Sequence, residues 1–285
     1  MRTRSLFCGL LLCMAMAPVQ ARERLLWLVR DLPPFTIFEG AEKGQGVVDQ
    51  MLPLLIEQMP EYDHTIMRVN RARGIQMLQD RSSFTCDPTL LWTAERAKFV
   101  HFSVPTLGVM SSGLVVRKQG EAMLTPFLQD QQVDLKGLLD STQLKLGIVA
   151  ERSYSTQIDG ILRQLPDTVF SRHYGNDATA SLLQMQQLGR LQLVLGYWPE
   201  VRYLIQQQGG SLDDYRFHPI QGVNRYQFLH VGCSDSPLGR AAIEHIDQLL
   251  PALRRDTLPA LYARWLDPEL REEYLQQSKQ FFEKP

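Results

Sequence analysis

Cysteine is scarce in this chain: four in 285 residues, two of which, Cys8 and Cys13, fall within the first 21. No Cys-x-x-Cys pair occurs, and the six histidines (His64, His101, His173, His218, His230, His245) are scattered without the spacing a zinc site needs. No metal ion and no other cofactor is expected. Gly-x-Ser-x-Gly and a Gly-rich phosphate loop are also missing, which removes the commonest sequence signs of a hydrolase or a nucleotide enzyme. An excess of one charge is lacking too, since 30 basic and 31 acidic residues leave a formal net charge of −1. Nucleic acid or an anionic membrane as main partner would call for a basic excess. After residue 21 no apolar run approaches the roughly 20 residues that span a bilayer. No short-period repeat and no low-complexity tract is present.

What is there begins with a leader. Arg2 and Arg4 give a basic start, Ser5 to Ala21 carries no charge, and Val19-Gln20-Ala21 offers the compact residues a signal peptidase reads. A cleaved secretory signal over residues 1–21 is expected, and with it a periplasmic location. Loss of its two arginines takes the formal charge to −3, and 264 residues (285 − 21) remain, enough for one large or two medium domains. Export puts Cys86 and Cys233 where disulfides persist, so a bridge between them is expected rather than two separate buried thiols.

Along the mature chain, strand and helix alternate. Arg24 to Arg30 (RLLWLVR) reads as a buried strand, closed by Asp31-Leu32-Pro33-Pro34-Phe35. VVDQMLPLLIEQM has Val47, Met51, Leu54, Leu55 and Met59 at helical spacing, with Pro53 as a local defect. HTIMRV, RARGIQMLQ and SSFTCDPTLLW continue as strand, helix and strand, and FVHFSVPTLGVMSSGLVVRK adds further strand material. The pattern then restarts at LKLGIVA, and two long helical segments close the chain. The alternation argues α/β with a mostly parallel sheet, and the expected architecture is two lobes, each a mixed sheet flanked by helices: lobe I from 22–118 and 224–285, lobe II from 119–223. Two such lobes leave a cleft between them, and lobe closure about crossing strands is the motion to expect.

The order Asp31-Leu32-Pro33-Pro34-Phe35, Gly44-Gln45-Gly46-Val47-Val48-Asp49, Thr93-Ala94-Glu95-Arg96 and Phe102-Ser103-Val104-Pro105 resembles the type 2 periplasmic solute-binding proteins. The nearest branch is the family-3 extracellular binding proteins that serve polar amino-acid uptake. Leu146-Gly147-Ile148-Val149, Leu188-Gly189-Arg190-Leu191 and the closing LYARWL agree with it. The resemblance implies a two-lobed fold, a small-molecule ligand in the cleft, an inner-membrane ABC permease as partner, and a monomer. It implies that Arg96 binds the ligand's carboxylate; on the residues alone, Arg96 pairing with Glu95 or Asp87 stays open. Leu32 or Phe35 would take the place of an aromatic over the ligand, with Phe35 equally readable as core, and Thr89 and Leu91 would precede Arg96 along the cleft. In the second lobe, Arg152 and Ser153 would complete carboxylate binding, an extra arginine suiting a more acidic ligand.

One departure matters. Where amino-acid binders hold an acid for the ligand's ammonium group, this chain has Tyr197, followed by Trp198. A buried ammonium without an anion is costly, so a carboxylate lacking a free amine, or an aromatic ligand, is expected instead. A ligand-sensing role alongside a membrane sensor is the second reading. A dehydratase-like enzyme, with Glu151 as acid, is a distant third, and no catalytic residue is assigned.

Overall fold

In the computed structural model, residues 22–283 are described; the expected leader, residues 1–21, lies outside the described residues. Strand β1 (Glu23–Val29) alternates as its sequence dictates, with Leu25, Trp27 and Val29 to one face and Leu28 to the other. It pairs in parallel with β2 (Tyr62–Arg68) and β3 (Thr85–Leu91), and the crossovers carry α1 (Val47–Glu57) and α2 (Arg71–Gln79). Strands β4 (Val100–Phe102) and β5 (Leu107–Met110) follow. Asp49 fixes the start of α1, accepting from the backbone N–H of Gly46 at 3.0 Å and of Ile37 at 2.9 Å. Asn70 caps α2 by accepting from Arg73 N–H at 2.9 Å, which makes Arg71 its first helical residue.

A second sheet then begins with β6 (Gly113–Arg117). A short hairpin of β7 (Leu128–Gln129) and β8 (Gln132–Val133) leads through α3 (Leu135–Ser141), β9 (Leu146–Val149), α4 (Thr156–Leu162) and β10 (Phe170–His173). Next come α5 (Ala178–Gln187), β11 (Leu193–Gly196), α6 (Trp198–Gln207) and β12 (Tyr215–Pro219). The second sheet has the order β10-β9-β11-β6-β12. Its two faces are covered separately, Leu114, Val116, Ile148 and Leu195 on one side and Val115, Val149 and Val194 on the other.

The chain returns through β13 (Tyr226–Ser234), which lies antiparallel to β3, β4 and β5 and completes the first sheet, β2-β1-β3-β13-β4. The two crossings, Ser111-Ser112 and residues 220–225, lie side by side: Ser111 N–H donates to Arg225 O at 2.9 Å and its Oγ to Asn224 O at 2.6 Å. Because β6 pairs only within the second sheet, that sheet starts at Gly113, ahead of the expected residue 119. The apolar run across Ser111-Ser112 hides the crossing, since its residues are buried on both sides of it.

Cys86 and Cys233 form the disulfide, joining adjacent strands β3 and β13 with Cα atoms 4.0 Å apart. Both are fully buried. Helix α7 (Pro237–Leu253) follows the return strand. The final segment, which reads as one long helix, is two: α8 (Thr257–Ala263) and α9 (Pro268–Ser278). Pro268 forces the break, because it has no N–H to continue the helix and pushes Asp267 out of helical geometry. The aromatic tail packs on the first lobe, with Tyr274 buried and its hydroxyl donating to Gly108 O at 2.7 Å. No helix among the described residues is long and apolar enough to cross a membrane.

Candidate functional site

The interface between the two sheets holds an arginine cluster. Arg96 sits in the short turn after β3, where Thr93 Oγ1 accepts from its backbone N–H at 3.1 Å. Its guanidinium is buried and donates to Leu91 O on its own lobe and to Glu151 O on the other, each at 3.1 Å. Neither open alternative partner engages it: Glu95 bonds Lys98 on the surface at 2.6 Å, and Asp87 faces Arg30. Burial lowers its pKa, and Asp159, Tyr197 and Glu151 oppose this through space. Glu151 presents its carbonyl from a left-handed backbone (φ 58°), a conformation that costs a non-glycine residue free energy.

Arg30, at the end of β1, is buried and held by Asp87 and by Thr89 Oγ1 at 3.0 Å. Thr89 in turn donates its N–H to Asp87 Oδ1 at 2.9 Å, so Thr89 orients the pair. Burial, then Arg96 and Arg152, press the Arg30 pKa down to about 9, which still leaves it charged at neutral pH.

Arg152, from the second lobe, makes a bidentate pair with Glu200 at 3.2 and 2.5 Å and also reaches Thr179 Oγ1 at 3.2 Å. Tyr197 lies under its guanidinium, 4.7 Å from ring centroid to carbon. Burial alone would lower the Arg152 pKa, but Glu200 outweighs it and raises it. Glu200 stands in the first turn of α6, the end of a helix that favours an acid. The acid missing at position 197 is therefore present three residues on, and it is committed to Arg152.

Arg71 completes the cluster. It is partly buried, and its Nε is enclosed without a partner. Burial and the charges of Arg30, Arg152 and Arg96 lower its pKa well below the usual value.

Leu32, Phe35, Thr89, Leu91, Arg96, Arg152, Ser153 and Tyr197 all line one cavity of about 20 Å³, with Arg71 and Leu229. That is room for about one water; Arg96, Arg152 and Ser153 also line a wider, open groove of about 860 Å³ between the lobes, beside Glu151 and Asp159. A larger cavity of about 150 Å³ shares Leu32, Arg71 and Arg152 with it and extends past Asn176, Thr179 and Tyr203. Phe35 serves the core as well, stacked on Tyr262 at 5.9 Å. Trp198 is elsewhere: its indole N–H donates to Asp267 Oδ2 at 3.1 Å and its ring packs on Phe217. Arg202 joins Asp267 at 2.8 Å and Tyr203 meets Trp265, so α6 is tied to the break between α8 and α9.

Similarity to solved structures agrees with this architecture. A histidine kinase sensor domain similar to periplasmic binding proteins aligns with a TM-score of 0.66 at 14% identity, over 86% of this chain and 96% of that one. The chain has the two-lobed fold of the type 2 periplasmic binding proteins. A structure from work on glutathione import through a cystine ABC importer of Streptococcus mutans aligns with a TM-score of 0.65 at 15% identity (86% and 95% covered). An amino-acid ABC transporter substrate-binding protein of Streptococcus pneumoniae, bound to L-arginine, gives 0.61 at 14% (90% and 95%). No protein-family model and no curated protein matches the chain.

Sequence reasoning missed Arg30, Arg71, Asp87 and Glu200. For Arg71 a signal existed: an arginine directly after an Asn cap opposes the positive end of its own helix, an arrangement helices avoid without cause.

Proposed function

We propose that this protein binds a small carboxylate-bearing solute in the cleft between its lobes, closing over it, and carries it in the periplasm to an ABC-type permease. The observation that carries the reading is Arg96: a buried guanidinium at the lobe interface with no carboxylate bonded to it among the described residues. A planar guanidinium stays charged when desolvated and takes a carboxylate through two parallel hydrogen bonds. Its bond to Glu151 O couples that residue to lobe closure, because the two partners lie on different lobes. Leu32, Phe35, Leu91 and Tyr197 supply apolar walls beside it, and Ser153 a hydroxyl. Solved relatives of this fold whose names give amino-acid substrate binding and ABC import support the transport half of the reading. Binding rather than catalysis is the proposed activity, with no cofactor and a monomeric protein.

Sensing is the second reading, supported by the sensor domain of a histidine kinase among the structures sharing the fold. The two differ in partner, not in the cleft. The test of the shared claim is a thermal-shift and calorimetric screen of amino acids, mono-, di- and tricarboxylates and aromatic acids, with Arg96→Met alongside. A ligand present at a hundredfold excess over its Kd adds about 2.7 kcal/mol to stability. Binding by the wild type that is lost in Arg96→Met supports the reading, and equal binding by both contradicts it.

A further inference from the structure

The charges on the cleft floor fall into two groups. Arg30 faces Asp87 and Arg152 faces Glu200, so each buried pair is neutral in sum. Among the described residues, Arg96 and Arg71 have no such partner. Arg96 spends its donors on two backbone carbonyls, and Asp159 and Glu151 pull on it only from a distance. Arg71 has no ion pair or hydrogen-bonded carboxylate among the described residues, and the charges that lower its pKa are those of three arginines, Arg30, Arg152 and Arg96. The other carboxylates of the larger cavity, Asp31, Glu39 and Asp177, are solvent-exposed to differing degrees, and Asp31 is taken by Arg68. Both uncompensated guanidinium groups line the same cavity of about 20 Å³. Arg71 also opens α2, where the helix's positive end disfavours a cation.

Two like charges gathered at one enclosed point raise the free energy of the empty protein unless something negative joins them. We infer that the ligand brings two negative charges to this end of the cleft, one to Arg96 and the other to Arg71. It is a dicarboxylate or a compound with one dianionic group such as a phosphate ester. This rests on the cleft-binding reading above and narrows it to a ligand class. An ordinary amino acid, with one carboxylate, would leave Arg71 uncompensated.

The test is titration calorimetry at fixed ionic strength with matched probes: succinate against butyrate, glutarate against valerate, and glycerol 3-phosphate against glycerol. The better dianion should bind at least about 30-fold more tightly than its matched probe, the range expected for added hydrogen bonds to a charged group. Arg71→Met should shrink that ratio to about threefold or less. Without ligand, Arg71→Met should melt above wild type, since a repelling charge is gone and no bond is lost. Preference for the dicarboxylates or for glycerol 3-phosphate distinguishes the two sources of the charge. A monocarboxylate or a zwitterionic amino acid bound as tightly as any dianion overturns the inference and leaves the cleft reading standing. Silence from every probe, amino acids included, with the protein folded, overturns both. The wild-type ratio decides even if the variant fails to fold.

Discussion

The guanidinium of Arg96 donates to the backbone carbonyl of Glu151 at 3.1 Å, and the bond crosses from one lobe to the other. A ligand carboxylate held by Arg96 would therefore be held by a residue already touching both walls. Closure and binding then share one side chain, which is how a ligand's affinity for the closed form shifts the population toward it.

Asp267 is the second tie between lobes, accepting from Trp198 Nε1 at 3.1 Å and from Arg202 at 2.8 Å. Asp267→Ala should loosen the closed form and weaken ligand binding by about 1 to 2 kcal/mol, the value of hydrogen bonds at a half-exposed charge. Asp267→Asn keeps an acceptor for the indole and should fall between. Small-angle scattering of the ligand-free variants reads the opening directly; unchanged scattering and affinity would remove Asp267 from the account.

The Arg152–Glu200 pair is buried on both sides. Glu200→Gln leaves the Arg152 charge uncompensated and should cost about 3 to 5 kcal/mol by urea unfolding. The Arg152→Met/Glu200→Met double variant should cost clearly less than Glu200→Gln, because removing both charges leaves neither stranded. Additive losses would mean the pair is not coupled.

Cys86–Cys233 closes a loop of 147 residues between neighbouring strands. Replacing both by alanine should destabilise the protein by up to roughly 5 kcal/mol on the chain-entropy model. Urea midpoints of the oxidised wild type and the double variant measure it, and matching midpoints would contradict it.

His230 supplies a pH dependence. Its Nδ1–H donates to Ser103 O at 2.7 Å, and burial, opposed by that carbonyl and by Asp247, lowers its pKa from the ordinary 6.5. The unfolded chain therefore takes up a proton before the folded one does. Stability from this group is complete above about 6.5 and is lost as pH falls through that value. His230→Gln should flatten the part of the stability curve just below 6.5. Parallel curves for wild type and variant would contradict this.

The fold was legible because its signals are local and repeated. The alternation in RLLWLVR set β1, and the Thr93 to Arg96 segment marked the turn at the cleft. Eight of the nine expected ligand residues line one cavity, and Leu32, Thr89, Leu91, Arg152, Ser153 and Tyr197 lie in or just after β1, β3, β9 and β11. What the sequence hid were the pairings across distance. Nothing local says that Arg30 meets Asp87, or that Glu200 reaches Arg152 across 48 positions. Arg152 carried an expectation of a free charge, and only tertiary contact reveals that Glu200 neutralises it. Trp198 follows Tyr197 in sequence but faces Asp267, because at the start of α6 successive side chains diverge by about 100°.

The most direct measurement is a crystal structure with the tightest ligand of the screen, paired with calorimetry on Arg96→Met. The account predicts a ligand carboxylate or phosphate within about 2.7 to 2.9 Å of the Arg96 guanidinium, and an affinity lost in the variant. A ligand bound elsewhere, with Arg96 still bonded only to Leu91 and Glu151 and the variant binding normally, would contradict it.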